Sequence, residues 1–306
     1  MAEQVATDAQ APRLPKPALG GTAADAAGEF AAKLGTRRRD AGAPIRNLFV
    51  ADDRPDSKPT MAKLLSSGPT GGGGRGGQLR LKLYLSLLWV CAASPYEAVR
   101  PARAWAALLG LEDPEGHGSR RIQETLRELQ ERKLVRLRNR GGSPTGVTVL
   151  VEWGDGQGYE PPSETYNRFK QAGHQSQSWE MAVHRYFRVP SSLWTDGLIA
   201  KLNGPALAML LILRCEQQSK DGTPVWFSPD RAATRFGLSE STRRLGLQKL
   251  RELGLVVTTT MNLSESGDFI DLVRKRKVHT LHLTQQPPKP TRTDFFEVNT
   301  VPATPA

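Results

Sequence analysis

The sequence predicts a mainly α-helical chain with small β-hairpins, an α+β class, in which one helix-to-strand unit occurs twice. In residues 238–256, Ser239 stands at a helix N-cap position and Gly254 stands where a C-cap glycine belongs. The order Leu-x-x-Leu-x-x-x-x-Leu-Val spans 126–135 and recurs over 247–256, at a constant offset of 121 residues. Each copy ends in apolar residues typical of a strand. The repeat therefore predicts two similar domains.

Composition divides the chain into five parts. Hydrophobic residues make up 38% of the chain and the mean hydropathy is −0.44, values that predict disordered stretches beside the domains. We predict a disordered tail with a Gly-rich linker at 1–77, a first domain at 78–152, a linker at 153–182, a second domain at 183–287 and a disordered tail at 288–306. Two apolar islands in the first tail, 45–50 and 61–65, could dock on a domain or on a partner.

The first domain is predicted to contain three helices followed by a hairpin. Leucines alternate with polar residues at the start of 78–93, as in a strand, but leucine lacks β-branching and the run continues apolar, which favours a buried helix. A second helix follows Pro101, and a third spans 119–132. The segments 135–140 and 147–152 then form the hairpin, separated by a Gly- and Pro-containing turn.

The second domain repeats this order. A short strand at 186–190 leads into it, and the strongly apolar segment 204–217 is its buried first helix. A short strand at 225–227 and a helix capped by Ser228 precede the helix that begins at Ser239. We expect Leu247 and Leu250 to form the buried stripe of that helix and Gly246 to allow close packing against the preceding helix. Segments 256–260 and 278–283 are the last two strands.

The charge of the chain favours a polyanionic partner. Its net charge is +11, and the sequence pI is about 9.9. The first domain has 12 Lys and Arg against 8 Asp and Glu, and the second has 15 against 9. The segment between the domains is net acidic. Basic charge thus coincides with the two repeats.

In each half, two helices are followed by a hairpin, and the second of these helices is part of the sequence repeat. This order of elements predicts a winged helix-turn-helix domain in each half. Such a domain inserts the second helix of its helix-turn-helix into the major groove, while a basic hairpin contacts phosphates. Strand alternation places the hairpin arginines of the first domain on one face. The candidate DNA-binding residues are Ser119, Arg120, Arg121, Gln123, Arg127, Arg136, Arg138 and Arg140 in the first domain and Ser241, Thr242, Arg243, Arg244, Gln248, Arg274, Lys275, Arg276 and Lys277 in the second.

The segments GLSESTRRLGLQKLRELGLV and GSRRIQETLRELQERKLV resemble recognition helices of winged helix-turn-helix proteins. Two such units in one chain are similar to tandem winged-helix plasmid replication initiators. The segments LRLKLYLSLLWV, RAWAALLGLEDP and YFRVPSSLW also resemble an uncharacterised actinobacterial family. The resemblance covers 78–152 and 183–287, and it implies DNA binding.

Catalytic and metal-site motifs are absent from the sequence. The five histidines form no HExxH motif and no His/Cys cluster at ligand spacing, and there is no Gly-x-Ser-x-Gly or dinucleotide-binding fingerprint. We therefore predict no enzymatic activity, no cofactor and no metal. Cys91 and Cys215 lie in apolar helical runs, as buried small hydrophobes do. The longest apolar run is too short to span a bilayer, and no signal peptide precedes it, so we predict a cytoplasmic, nucleoid-associated protein without a membrane partner.

These observations predict sequence-specific binding of double-stranded DNA through both winged helices, by an initiator or repressor of a plasmid or mobile element. The alternatives are a transcriptional regulator of chromosomal genes and a winged-helix scaffold for protein interactions. The sequence leaves open whether the chain forms a homodimer. It also leaves open whether the two tails contact replication or transcription machinery.

Overall fold

A computed structural model describes residues 22–34, 42–54, 57–66, 75–140, 143–174, 178–218, 220–263 and 274–283. This part of the chain combines helices with small antiparallel sheets of two or three strands. None of its helices is both long enough and apolar enough to cross a membrane. The predicted tail at 288–306 lies outside the described residues, as do 67–74 of the Gly-rich linker.

The described residues before the first repeated unit, at 22–34, 42–54 and 57–66, contribute to the core, which corrects the prediction of disorder for these stretches of 1–77; residues 1–21 and 35–41 lie outside the described part. The elements of these stretches are α1 (Thr22–Ala32), β1 (Ala43–Arg46), α2 (Asn47–Val50) and α3 (Thr60–Leu65). Phe30, Ile45, Phe49, Met61 and Leu64 are at most 4% exposed. The two apolar islands therefore dock on the chain itself. The low apolar content of this segment predicted disorder. Its few apolar residues are nevertheless enough to attach it to the core, because they are buried.

The first repeated unit, unit 1, has the predicted order of elements plus one short strand. It consists of α4 (Arg75–Val90), β2 (Glu97–Val99), α5 (Ala102–Leu108), α6 (His117–Glu131), β3 (Val135–Arg140) and β4 (Ser143–Val149). Strand β4 lies between β2 and β3 in an antiparallel sheet. The ambiguous leucine run is helical. Its polar residues are buried with partners: Arg80, for example, donates to the carbonyl oxygens of Leu64 and Ser66 at 3.0 and 2.7 Å.

The described residues of the segment predicted to be a linker at 153–182 are also folded, which corrects that prediction for 153–174 and 178–182. The segment contains α7 (Pro162–Gln171) and α8 (Trp179–His184), and the chain continues through β5 (Tyr186–Val189), α9 (Ser192–Thr195) and α10 (Leu198–Lys201). Tyr159, Thr165 and Met181 are buried. The predicted strand at 186–190 exists as β5 and pairs with β1, so the connection and the N-terminal segment share one small sheet.

The second repeated unit, unit 2, follows the same order as unit 1. Its elements are α11 (Gly204–Glu216), β6 (Pro224–Val225), α12 (Pro229–Phe236), α13 (Glu240–Glu252), β7 (Val256–Leu263) and β8 (Arg274–Leu281). Strand β8 lies between β6 and β7. The sheet therefore has the same strand arrangement as the sheet of unit 1.

The sequence repeat is also a repeat of backbone geometry. Helices α6 and α13 end at residues that are 121 positions apart, and so do the starts of β3 and β7. After each helix the backbone is left-handed, at Lys133 (φ 56°) and at Gly254 (φ 69°). The next amide donates five residues back in both copies, from Leu134 to the Leu129 oxygen at 3.0 Å and from Leu255 to the Leu250 oxygen at 2.9 Å. Both helices thus stop in the same Schellman-type cap, although only the second has the favoured glycine.

The two units pack against each other through their first helices, α4 and α11. Helix α4 also packs against α9. The rings of Trp89 in α4 and Trp194 in α9 stack with centroids 4.8 Å apart, and Trp194 Nε1 donates to Ser86 Oγ at 2.9 Å. Lys82 Nζ donates to the Ala200 carbonyl oxygen at 2.9 Å, and burial lowers the pKa of this amine to about 8. One hydrophobic core extends through the described part of both units.

A buried arginine joins the separate segments around this core. Arg46, at the end of β1, forms an ion pair with Glu152 in which both side chains are 1% exposed. Arg46 Nη2 also donates to the Glu160 carbonyl oxygen at 2.7 Å, and its guanidinium lies 5.4 Å from the Trp153 ring centroid. Burial raises the pKa of the Glu152 carboxyl, and the Arg46 charge opposes that shift.

Replacing Arg46 tests this arrangement. We expect Arg46→Ala to lower the free energy of unfolding by about 3–5 kcal/mol, because it leaves the Glu152 carboxylate buried without its counter-charge. The matched control is Arg168→Ala, which removes an ion pair to Glu160 whose side chains are 63% and 53% exposed and should cost about 0–1 kcal/mol. Urea unfolding followed by circular dichroism measures both. Equal losses in the two variants would contradict a central role for Arg46.

Candidate nucleic-acid interface

The orientation of α13 is set at its N-terminus and on its inner face. Ser239 is the N-cap, as predicted, and its Oγ accepts a hydrogen bond from the Thr242 amide at 3.2 Å. Gly246 faces α11, where an added Cβ would lie 2.3 Å from the Pro205 carbonyl oxygen and 2.6 Å from Met209 Cγ. Close packing at this glycine was predicted against the preceding helix, which is α12. The partner is instead α11, the apolar first helix of the unit.

Helices α6 and α13, the third helices of the two units, turn matching positions to solvent. The matching exposed positions are Arg120, Gln123, Glu124, Arg127, Gln130 and Glu131 in α6 and Ser241, Arg244, Leu245, Gln248, Arg251 and Glu252 in α13. Each residue of the second set lies 121 positions after its counterpart in the first. His117 of α6 and Glu240 of α13 are also exposed, but their counterparts are not. The two helices therefore expose the same side to solvent. Of the matching pairs, only Glu131 and Glu252 have the same residue type.

Arg243 does not belong to the exposed face, which corrects its place among the candidate base-reading residues. It is 9% exposed and lies on the inner side of α13. Its counterpart in α6 is Ile122, a core residue. At about 100° per residue, Arg243 lies within about 60° of Gly246 and Leu250, on the side of α13 that packs against the core. The apolar counterpart in the first repeat was the available signal.

On α13, the structure brings three of the predicted residues together on the outer face: Ser241, Arg244 and Gln248. Arg244 forms no ion pair with a described residue. Gln248 Nε2 donates to Glu252 Oε1 at 3.1 Å. Thr242 is partly buried beside the cap. The face also includes Leu245, which is 49% exposed and which the sequence analysis did not include among the candidate residues.

On α6, Arg120, Gln123 and Arg127 are exposed as predicted, whereas Arg121 and Ser119 are partly buried. Ser119 Oγ donates to the Pro114 carbonyl oxygen at 2.6 Å. The N-terminus of α6 is capped by a carboxylate: Asp113 Oδ2 accepts from the His117 amide at 2.8 Å. The hydrogen bonds from the His117 and Gly116 amides lower the pKa of the Asp113 carboxyl, so it is negatively charged at neutral pH. This negative charge disfavours a phosphate at that helix end.

The predicted arginine stripe of unit 1 is partly neutralised. Arg136 and Arg138 share one face of the sheet, and both are exposed. Arg138 forms an ion pair with Glu97 on β2. The register between β3 and β4 shifts between Arg138 and Arg140, so simple alternation does not place Arg140 on the same face. Its side chain lies outside the described part.

The basic run of unit 2 is part of β8. The backbones of Arg274 and Lys275 pair with β7, and their side chains lie outside the described part. Lys277 is exposed, whereas Arg276 stacks on Trp226 with its guanidinium carbon 4.1 Å from the ring centroid. Because adjacent strand residues point to opposite faces, these two cations are divided between the faces of the sheet.

The sheet face that holds arginines in unit 1 has exposed apolar side chains in unit 2, with Arg276 among them opposite Met261. Val257 and Met261 are the counterparts of Arg136 and Arg140 at the offset of 121, and they are 47% and 52% exposed. Trp226, 48% exposed, adds to this face. The two units thus share a backbone plan but differ in the chemistry of their sheets.

The clefts beside Arg235 lie away from these helix faces. Two clefts of ≈ 230 and ≈ 680 Å³ flank the ion pair between Arg235 and Glu216. None of the predicted DNA-binding residues lines either cleft. The convex outer faces of α6 and α13 are therefore the candidate interface, in keeping with a macromolecular partner.

The close approach of α13 to α11 can be tested at Gly246. We expect Gly246→Ala to lower the free energy of unfolding by about 1–3 kcal/mol, because the added methyl group must displace the Pro205 backbone. Gly28→Ala is the matched control: it lies in α1, where an added Cβ meets nothing within 4 Å. Alanine should there stabilise the helix by about 0.5–1 kcal/mol. Urea unfolding of both variants decides, and equal effects would refute tight packing at Gly246.

Within the described residues, no group of three or more His, Cys, Asp and Glu side chains is placed to hold a metal ion. Cys91 and Cys215 are both buried, and burial raises the pKa of each thiol to about 12, which makes them poor nucleophiles at neutral pH. No protein-family model, curated protein or solved structure matches the chain.

Proposed function

We propose that the chain binds double-stranded DNA in a sequence-specific manner through the outer faces of α6 and α13. The observation that supports this most strongly is the matched exposure of the two third helices. Each is held from behind by its unit's first helix and is followed by an antiparallel strand pair. Winged helix-turn-helix domains have this order of elements, and their third helix enters the major groove.

The exposed cations fit a polyanionic partner. Arg120, Arg127 and Arg136 of unit 1 and Arg244 and Arg251 of unit 2 are exposed and form no ion pair with a described residue. Their charges are therefore available to phosphates or to base edges. Arg244 and Gln248 can bond bidentately to guanine and adenine respectively, whereas Arg136 on the strand pair suits a phosphate.

Of the two units, unit 2 is the better candidate for reading bases. On the outer face, Glu124 of α6 corresponds to Leu245 of α13, so this position of α13 has no negative charge. Both helices have a carboxylate at the N-terminus, from Asp113 in unit 1 and Glu240 in unit 2. Unit 1 would then contribute mainly phosphate contacts through Arg120, Arg127 and its strand pair.

For the biological role, we propose an initiator or repressor of a plasmid or mobile element, following the resemblance of the two third-helix segments to tandem initiators. A transcriptional regulator of chromosomal genes would use the same interface. The position of the bound sites separates these roles: repeated sites at a replication origin support an initiator, and sites over promoters support a regulator. Recovery and sequencing of genomic fragments bound by the full chain would locate them.

One observation favours a second function, that of a scaffold for protein interactions. The outer sheet face of unit 2 exposes Trp226, Val257 and Met261 together. An apolar face of this kind is typical of protein contact rather than of phosphate contact. On this alternative, the third helices would not read DNA.

DNA binding is tested by fluorescence anisotropy with the full chain and labelled duplexes selected from a random pool. We expect affinity to fall steeply with salt, with a slope of log K against log salt of about −0.9 for each phosphate neutralised. Arg244→Ala combined with Gln248→Ala should weaken binding to the selected duplex by about 1–3 kcal/mol for each lost base contact. Arg136→Ala should instead reduce the salt slope by about 1.

The matched control is Arg168→Ala, which removes an exposed arginine on α7, outside the proposed interface. Its affinity and salt slope should equal those of the unaltered chain. Unchanged binding in the Arg244 and Gln248 double variant, or an affinity indifferent to salt, would contradict the proposal. If that double variant still retained proteins that bind through apolar surfaces, the result would favour the scaffold function.

A further inference from the structure

Leu245 lies on the outermost part of α13. The buried side of the helix is defined by Arg243, Gly246 and Leu250. At about 100° per residue, Leu245 lies within about 50° of the opposite direction. Ser241 and Gln248 flank it one turn away on either side. The contact of Gly246 with α11 fixes this rotation, so the helix cannot turn Leu245 inward without losing that packing.

A leucine at this position differs from what the rest of the face predicts. The surrounding exposed side chains are polar or charged: Ser241, Arg244, Gln248 and Glu252. The counterpart in unit 1 is Glu124, which has the same orientation and the opposite chemistry. Leu245 is 49% exposed, so a large part of its apolar surface is available to a ligand that meets this face.

We propose that Leu245 determines specificity by packing against the C5-methyl group of a thymine in the major groove. This inference rests on the proposed DNA binding. Thymine is the only standard base that presents an apolar group in that groove, and side chains recognise it by apolar contact. The neighbouring Gln248 is suited to an adenine. The outer face of α13 therefore combines apolar and polar recognition and favours a site rich in A·T pairs at its centre.

The test uses a pair of duplexes that differ only in that methyl group. The duplex selected by the full chain is prepared once with thymidine and once with deoxyuridine at every thymidine position. We expect the unaltered chain to bind the deoxyuridine duplex about fourfold more weakly, the effect of leaving one methyl group unburied. Leu245→Ala should bind both duplexes with equal affinity.

Arg168→Ala is the matched control, since it alters an exposed residue of α7 outside the proposed interface and should keep the preference for thymidine. Equal binding of the two duplexes by the unaltered chain would overturn the inference. So would an unchanged preference in Leu245→Ala, because the difference would then arise from DNA shape. Failure of the chain to select any duplex would instead refute the proposed function itself. Thermal unfolding confirms that the two variants, both at exposed positions, remain folded.

Discussion

The buried ion pair between Arg46 and Glu152 connects the parts of the chain that the two units alone would leave separate. Arg46 ends β1, Glu152 follows the sheet of unit 1, and β1 pairs with β5 just before unit 2. The pair also contacts the connecting segment through the Glu160 carbonyl oxygen. Such a pair contributes little net stability over an apolar replacement, but loss of one partner is costly. The ion pair therefore restricts how these segments can be arranged, because an arrangement that separates the two residues leaves a buried charge without its partner.

That arrangement has a consequence for the two third helices. Because α4 packs directly against α11, and also against α9 through the Trp89–Trp194 stack, helices α6 and α13 are attached to one continuous core. Within it, the units have kept the backbone and changed the side chains. Glu124 corresponds to Leu245, and Arg136 corresponds to Val257. On the proposed function, unit 1 would supply charge for contacts with the DNA backbone, and unit 2 would supply a mixed face that discriminates between bases.

The sequence predicted the repeated elements well because their signals are local. The Ser239 cap, the Gly254 stop and the leucine spacing each report on one turn of helix, and all three agree with the structure. The fold of the connecting segments was not predicted because it depends on contacts between residues that are far apart in the sequence. Arg46 and Glu152, for example, are 106 residues apart. The exposed face of α13 was predicted in part. Arg243 was included among the candidate base contacts, but its counterpart in α6 is the core residue Ile122, and Arg243 is likewise buried.

The central claim, that the exposed faces of α6 and α13 form the DNA interface, is tested most directly by amide hydrogen exchange measured by mass spectrometry. The full chain would be compared with and without a saturating selected duplex. Slower exchange is expected in peptides covering 117–131 and 240–252, with the larger change in the second because base contacts are proposed for unit 2. Unchanged exchange in both helices, with protection confined to 224–226 and 256–263, would contradict the central claim and locate binding on the apolar sheet face.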